Sequence, residues 1–537
     1  MIFNCARCRT LTFYSNTISC LLLSRRTRVL VPLSYSGMAA VSESDYERAV
    51  SALNGLQSNF QVLSEMRKQP RGRGKHIFSK TPEFLSRVGI DVTELDSLNV
   101  IHVAGTKGKG SVCAMCESIL RAHGLKTGFY SSPHLLEVRE RIRINGEPLG
   151  KDLFVNYFWQ CYDSLTRNKE LYEEQMPAYF RFLTLLAFKV FLNEKVDVAV
   201  VEVGIGGSYD STNVIQRPVV CGITSLGYDH VDVLGKTIEE ITWHKTGICK
   251  SGVPLFTSVQ SDESLQVILS RGKELQASSV AIAPASSLYP DREKWKIGIA
   301  GAHQLENASL AVQLCKQWLK SMSKWNEGEE PLNDAEGERC GLPIARPFLL
   351  PSSFIKGLSD CVWPGRCQVV KRVGVSYYLD GAHTAESLRV CSNWFSVSSR
   401  KEEAEIQGPL MKVLLFNFSG RREAKNLMNE IYSLGFDYAL FCPNITSNDI
   451  HSSDQANYNV SVADMLGRCY DNEKAWLSLP GVCQKTKVFD CISDAVNWVG
   501  RVRKTNKELY VQVLVCGSLH LVGGAMNVLG VTVMGTN

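Results

Sequence analysis

The chain reads as an α/β protein built on two parallel sheets, the second smaller than the first. Short, nearly all-apolar runs alternate with helical segments over most of the length, and one stretch without periodicity, at about 321–351, interrupts the rhythm. A strand that is apolar throughout must be covered on both faces, which is how parallel sheets are buried. A length of 537 residues accommodates two large domains of this kind.

The elements follow in order. After Met38-Ala39-Ala40 a helix is expected with Ala49, Val50, Leu53 and Leu56 on one face. Thr81-Pro82-Glu83 looks like a helix start, with Thr81 as N-cap and proline in the first turn. Strands are predicted at 99–104, 126–130, 196–203, 218–224 and 254–258. Helices are predicted at 111–123, which Gly124 closes, at 178–193, within 237–249 and at 303–319. Residues 321–351 carry Glu327, Glu329, Glu330, Asp334, Glu336 and Glu338 among Gly and Pro, and read as a solvated acidic loop ahead of a domain boundary. The rhythm resumes near Trp363, with strands at 368–373, 412–417, 437–442, 487–490 and 509–516 and helices between. The domains are therefore 38–360 and 361–537, preceded by a leader, 1–37.

Composition narrows the function classes. Hydrophobic residues are 45% and charged residues 21%, as in ordinary globular proteins, which excludes collagen-like and mainly disordered classes. No apolar run reaches the length of a membrane-spanning helix. The formal charge of +5 comes from the leader, which holds Arg7, Arg9, Arg25, Arg26 and Arg28 and no acid. The remainder is balanced and carries no nucleic-acid footprint. An Arg-, Ser- and Thr-rich leader without acids has the composition of a mitochondrial transit peptide, disordered before import. Starts at Met1 and at Met38 would give a matrix form and a cytoplasmic form. The 18 cysteines read as reduced, buried thiols rather than as a disulfide framework.

The strongest local signal is Gly105-Thr106-Lys107-Gly108-Lys109-Gly110-Ser111, between an apolar strand and a helix. Glycines let the backbone curl until its N–H groups converge on phosphate oxygens. The helix N-terminus adds partial positive charge and Lys109 a full one. The common Walker spacing is absent, because Val103 and Gly110 stand where Gly and a hydroxyl residue belong. Glu202 ends an apolar strand, the place where open α/β sheets bind ligands. With a hydroxyl such as Ser132 it forms a reasonable oxygen set for Mg²⁺, against the plainer readings of a strand-end salt bridge and a turn residue. In Trp363-Pro364-Gly365-Arg366 and Asp380-Gly381-Ala382-His383, Arg366 suits a phosphate. Asp380 suits a ribose hydroxyl or Arg366 itself, or simply forms the turn.

The seven-residue loop resembles that of the Mur-ligase superfamily. The run from Ile101-His102-Val103 through Ser131-Ser132-Pro133-His134 to Val138-Arg139-Glu140-Arg141-Ile142 is similar to the folylpolyglutamate synthase family, animal type. The similarity continues at Val201-Glu202-Val203-Gly204-Ile205-Gly206-Gly207, Leu226-Gly227-Tyr228-Asp229-His230, Trp363-Pro364-Gly365-Arg366, Leu379-Asp380-Gly381-Ala382-His383 and Gly517-Ser518-Leu519-His520-Leu521-Val522-Gly523-Gly524, in the family's order.

The resemblance implies a P-loop ATPase domain of the Mur-ligase type followed by a Rossmann-like domain. It implies ATP-dependent addition of L-glutamate to the γ-carboxyl of tetrahydrofolates through an acyl phosphate. On it, Gly105, Thr106, Lys107, Gly108, Lys109, Gly110, Ser111, Asn307, Arg366 and Asp380 hold ATP, and Lys109 and His383 act on the reactants. Ser132, Glu202 and His230 bind Mg²⁺, although His230 by itself reads as a plain loop histidine. Lys245 falls where some relatives carry a carbamylated lysine, and K⁺ is a possible companion cation. A monomer is implied, with at most peripheral contact with a mitochondrial membrane. Dihydrofolate synthase on the same scaffold and a nucleotide-gated binding protein without ligation are the rival functions.

Overall fold

The computed structural model describes residues 42–57, 80–325, 337–418, 424–447, 454 and 461–531. The leader and the second start at Met38 lie outside the described residues, as does the middle of the acidic loop.

Eight strands form the first sheet: β1 (Ile101–Ala104), β2 (Thr127–Tyr130), β3 (Ile142–Ile144), β4 (Glu147–Pro148), β5 (Val198–Glu202), β6 (Val220–Ile223), β7 (Leu255–Thr257) and β8 (Val280–Ile282). Their spatial order is β4-β3-β2-β5-β1-β6-β7-β8. The six from β2 to β8 are parallel, and β3 and β4 add an antiparallel edge. Alternation of side chains along β5 separates two cores. Ala199 and Val201 face the helices Glu43–Asn54, Lys151–Thr166 and Tyr179–Glu194, whereas Val198 and Val200 face Lys109–Ala122, Gln304–Ser321 and Ser352–Asp360. A further core lies under the helix Asp262–Glu274.

The acidic stretch is only partly the loop expected. Its described end forms a small antiparallel pair, β9 (Glu338–Arg339) and β10 (Leu342–Pro343), and Ile344 bridges to Ile282 of the first sheet. Phe348 and Leu350 are buried, so this segment is anchored rather than solvated throughout. The N-cap of the helix Thr81–Arg87 is Lys80, not Thr81, which lies inside the first turn with its hydroxyl buried. The β3–β4 edge escapes sequence reading because its strands are two or three residues long and carry Arg143 and Glu147, too short for a period of two to show.

The second sheet comprises β11 (Gln368–Arg372), β12 (Val375–Leu379), β13 (Leu410–Phe416), β14 (Tyr438–Phe441), β15 (Thr486–Val488) and β16 (Tyr510–Cys516), in the order β11-β12-β16-β13-β14-β15. All are parallel except the edge strand β11. Val413 and Leu415 face the helices Ile492–Thr505 and Leu519–Val528, while Leu414 and Phe416 face Ala385–Glu403 and Val462–Leu477. The described cysteines are free thiols, buried except Cys340 and Cys483. Among the described residues no helix is long and apolar enough to cross a membrane.

Two contacts join sequence halves that lie far apart. The main-chain oxygen of Leu135 would stand 2.1 Å from a Cβ at Gly523, so the helix Leu519–Val528 packs directly on the loop after β2. Asp454 accepts hydrogen bonds from Tyr46 Oη at 2.9 Å and from the Val138 N–H at 2.7 Å. Burial, opposed by these donors, pushes the Asp454 carboxyl up to about 6. The protonated form is thus the one the fold favours, and that stability is present below pH 4 and lost as pH rises through 6. Asp454→Asn should flatten this segment of the stability–pH curve, removing a slope worth on the order of 2 kcal/mol between pH 4 and 7. Urea midpoints measured across that range report it.

Candidate functional site

The carboxyl ends of the parallel strands carry the loops that matter. The loop after β1 is residues 105–111, Ser132 follows β2, Glu202 ends β5, and Asp229 and His230 follow β6. From the second sheet come Arg366, just before β11, and Asp380 to His383, just after β12. All of these, with Lys245 and Asn307, line one cavity of about 820 Å³. Every site residue expected from sequence is therefore brought together there.

The loop is tightly built. Gly105 has φ +150°, and a Cβ on it would lie 1.9 Å from Thr224 Oγ1. Gly108 has φ +87°, and its Cβ would lie 2.4 Å from Asn307 Oδ1. Only glycine fits either place. Asn307 is held by its Nδ2, which donates to Gln304 Oε1 at 2.9 Å. The N–H groups of Thr106 and Lys107 both donate to the carbonyl of Ser225, at 3.0 and 3.1 Å, so they brace the loop against the neighbouring strand end. Lys109, Gly110 and Ser111 open the helix Lys109–Ala122, with their N–H groups at its N-terminus.

Three lysines meet here. Lys109 Nζ lies 4.0 Å from Glu202 Oε1. Lys107 Nζ bonds Asp229 Oδ2 at 2.9 Å and lies 3.5 Å from His383 Nε2. Burial alone would raise the Asp229 carboxyl, but the Lys107 ammonium holds it far below the usual carboxylate range. Lys245 is buried and donates to the Gly105 carbonyl at 2.7 Å. Burial, and then the charge of Lys109, bring it down to about 7. Burial raises the Glu202 carboxyl, with Lys109 opposing. Its Oε2 accepts from the Ser132 N–H at 3.1 Å. Partial desolvation lowers the His230 imidazole, with Asp229 opposing, although the residue is exposed at the cavity mouth.

The second sheet presents a cation and a histidine. Arg366 Nη1 touches the Gly365 carbonyl at 3.3 Å, and its guanidinium forms no ion pair within 4 Å among the described residues. A Cβ on Gly381 would stand 2.5 Å from that Nη1, so the missing side chain makes room for the arginine. Asp380 does not pair with Arg366. Its Oδ2 accepts from the Cys367 N–H at 2.8 Å and its Oδ1 from the Ala382 N–H at 2.9 Å, which sets the turn. His383 Nδ1 lies 2.8 Å from the Gly381 carbonyl, so Nδ1 carries the proton and Nε2 presents a lone pair toward Lys107. Desolvation in the cleft, then the Lys107 charge, lower its pKa, although the ring is partly exposed.

Sequence reasoning assigned no role to Asp229, His134, Arg141, Arg143, Phe180, His303 or Trp363, yet all line the cavity. Asp229 stands beside His230 in the chain, and that adjacency was the available signal. Phe180 and Trp363 offer none, because an aromatic residue facing a cleft looks in sequence like one facing a core. Phe180 reaches the wall because Gly204 lacks a side chain, since a Cβ there would lie 2.5 Å from the ring.

Among the described residues no three His, Cys, Asp or Glu side chains cluster as a metal cage. Mg²⁺ needs no such cage, since it keeps waters and takes phosphate oxygens beside one or two protein ligands. The buried Glu202 carboxylate at the cavity wall, with the Ser132 hydroxyl and the His230 imidazole beside it, suits that demand. Lys245 as an amine is a donor, not a ligand.

No protein-family model matches the chain. Curated relatives do. "Folylpolyglutamate synthase, mitochondrial" of Homo sapiens is 41% identical over 541 residues, covering 90% of this chain and 92% of the relative. Its namesake in Bos taurus is 40% identical over 562 residues, covering 94% and 96%. The "putative folylpolyglutamate synthase" of Caenorhabditis elegans is 38% identical over 536 residues, covering 95% and 99%. Among solved structures, a Mycobacterium tuberculosis folylpolyglutamate synthase complexed with ADP superposes with a TM-score of 0.67 at 20% identity, over 91% of this chain and 99% of that one. The apo form of an L. casei FPGS superposes with a TM-score of 0.62 at 21% identity, over 90% and 99%. At these identities the solved structures establish a shared two-sheet fold.

Replacing Gly108 by alanine should displace Asn307 and strain a left-handed residue, at a cost of about 1–2 kcal/mol. At Gly227, where a Cβ meets nothing within 4 Å, the same change should be nearly neutral. Paired urea denaturation curves of the two variants test the contrast.

Proposed function

This chain belongs to the folylpolyglutamate synthase family, and from that premise we propose that it joins L-glutamate to the γ-carboxyl of tetrahydrofolate and its polyglutamates, converting ATP to ADP and phosphate. The observation that carries this reading is the convergence of the 105–111 loop, Glu202 and the Arg366–His383 segment on one cavity.

A carboxylate resists attack by an amine. Transfer of the γ-phosphoryl group of ATP to the γ-carboxylate breaks the bond to the bridging oxygen of ADP and makes an acyl phosphate. The amine of L-glutamate then attacks the acyl carbon, and the tetrahedral intermediate expels phosphate. No covalent nucleophile is required of the protein, whose task is alignment and charge neutralisation. Lys109 and the N–H groups at the start of its helix face the phosphates, and Thr106, Lys107, Gly108, Gly110 and Ser111 shape the loop around them. Arg366, without an ion partner, reaches the nucleotide from the second sheet. Asn307 and Asp380 border the nucleotide, Asp380 chiefly by fixing the turn that carries His383. His383, with a neutral Nε2 beside Lys107, positions the glutamate or the phosphoryl group. Glu202, Ser132 and His230 would hold Mg²⁺, which supplies further neutralisation of phosphate charge when bound. Lys245 would join a metal set, Mg²⁺ or a companion K⁺, only as a carbamate. As an amine it steadies Gly105.

The lobes divide at about residue 360, after the helix Ser352–Asp360. The acid-free leader supports delivery to the mitochondrial matrix, and Met38 supports a second, cytoplasmic product. Removing the Met1 start codon should then abolish the matrix pool alone, as fractionation would show. Loss of both pools defeats the two-start reading.

Glutamate incorporation into tetrahydrofolate with ATP and Mg²⁺ tests the reaction directly. Incorporation into dihydropteroate instead would favour the rival synthase, and no ADP release with all substrates present would favour a binding protein. Lys109→Ala should lower turnover by roughly two orders of magnitude or more while preserving the circular dichroism of the fold. Glu202→Ala should shift the magnesium titration to higher concentration or abolish activity.

A further inference from the structure

The cavity wall carries a charged group that forms no ion pair within 4 Å among the described residues, although the Glu202 carboxylate feels its charge. Arg141 closes the turn Val138–Arg141 ahead of β3 and is only 8% exposed. Its Nε donates to His134 Nδ1 at 3.0 Å, and its guanidinium carbon stands 5.3 Å from the centre of the Tyr179 ring. Among the described residues its Nη groups make no hydrogen bond within 3.5 Å and no ion pair within 4 Å. A guanidinium keeps its charge at any physiological pH, and leaving it buried and unpaired is costly.

The neighbouring charges are already committed. Glu140 directs its carboxylate to the N–H groups of Leu135, Leu136 and Glu137, at 2.9, 2.8 and 2.6 Å. Arg143 is buried too, but it donates to the carbonyls of Glu140 and Gly146 at 3.2 and 3.4 Å and lies 5.1 Å from the Trp363 ring. His134 is fixed at both nitrogens. Nε2 donates to the Asp454 carbonyl at 2.9 Å, which leaves the Nδ1 lone pair for Arg141. The imidazole thus holds the guanidinium by one edge and leaves the Nη edge for the cavity that Arg141 lines.

Location indicates the anion. The Ser131 N–H donates to the Arg141 carbonyl at 3.0 Å, and the next residue, Ser132, donates to Glu202. Arg141 therefore sits beside the strand end where the reacting γ-carboxylate must lie, with Phe180 on the same wall. The terminal glutamyl residue of an acceptor folate carries a second carboxylate, separated from its γ-carboxyl group by the α-carbon and two methylenes. Bidentate pairing with a planar guanidinium would neutralise that second charge and orient the first.

We propose that Arg141 binds the α-carboxylate of the terminal glutamyl residue of the acceptor. The inference rests on the ligase reading above and names the subsite that selects and aligns its folate substrate.

The test compares tetrahydrofolate with an analogue whose α-carboxyl is a primary amide and whose γ-carboxyl is free, following ADP release by the full chain with ATP, Mg²⁺ and L-glutamate. The amide should raise KM at least about tenfold in the unmodified protein, the scale of losing one partner of a buried charge pair. Arg141→Gln should raise KM for tetrahydrofolate similarly and no longer distinguish acid from amide, and Arg141→Lys should recover part of the loss. KM for ATP and for L-glutamate should hold. Equal KM for acid and amide in the unmodified protein overturns the proposal, as does a variant whose KM rises for L-glutamate instead. Should Arg141→Gln fail to fold, the acid–amide comparison in the unmodified protein decides alone. Absence of ADP release with either acceptor would defeat the ligase reading itself. Calorimetric binding of acid and amide would then still decide the subsite, tighter binding of the acid supporting it and equal binding overturning it.

Discussion

Crowding of like charge around a single loop is the constraint to which the rest of the cleft answers. Lys107, Lys109 and Lys245 stand around residues 105–111, partly or wholly shielded from water, where repulsion between ammonium groups is poorly screened. Each is relieved differently. Lys107 has Asp229 at 2.9 Å, and Lys109 has Glu202 at the outer limit of an ion pair, 4.0 Å. Among the described residues Lys245 has no carboxylate at that distance. It yields proton affinity, down to about 7, and gives an N–H to the Gly105 carbonyl. An arrangement held this near to electrostatic imbalance favours a polyanion, the kind of ligand proposed for this loop.

The same constraint explains why two sheets are needed. Parallel strands collect loops at one edge, so the first sheet brings the lysines, Glu202 and His230 together. A single edge has only so many adjacent strand ends, and those near β1 are already occupied. Arg366 and His383 come instead from the edge of the second sheet, placed opposite by the contact of Gly523 with Leu135 and by the Asp454 bonds. Chemistry that passes through a hydrolysable acyl phosphate gains from this geometry, because reactants enclosed between two walls are separated from bulk water.

Most of the parallel core was legible because its strands are apolar on both faces, as at Val198–Glu202, and its long helices exceed three turns. The short antiparallel strands were not, since two residues such as Glu147 and Pro148 define no period. In the site, residues within glycine-rich runs were legible through the turn geometry that glycine implies, and the structure gives the steric reason at Gly105 and Gly108. Arg141 and Phe180 were not. Their importance lies in what fails to touch the first and in the glycine that admits the second, and neither is a property of local sequence.

The carboxylates sharpen that lesson. Glu140, Glu202, Asp229 and Asp380 all lie in the family-like runs and look equivalent on paper. Backbone geometry divides them. Glu140 and Asp380 point at N–H groups of tight turns and are structural anions, whose loss would release main-chain donors into a buried site. Glu202 and Asp229 each accept one N–H, from Ser132 and His230, but turn their other oxygen toward an ammonium group in the cavity. Lining one cavity with both kinds of acid keeps the turns rigid and leaves the carboxylates beside the lysines to answer the charge of a bound ligand.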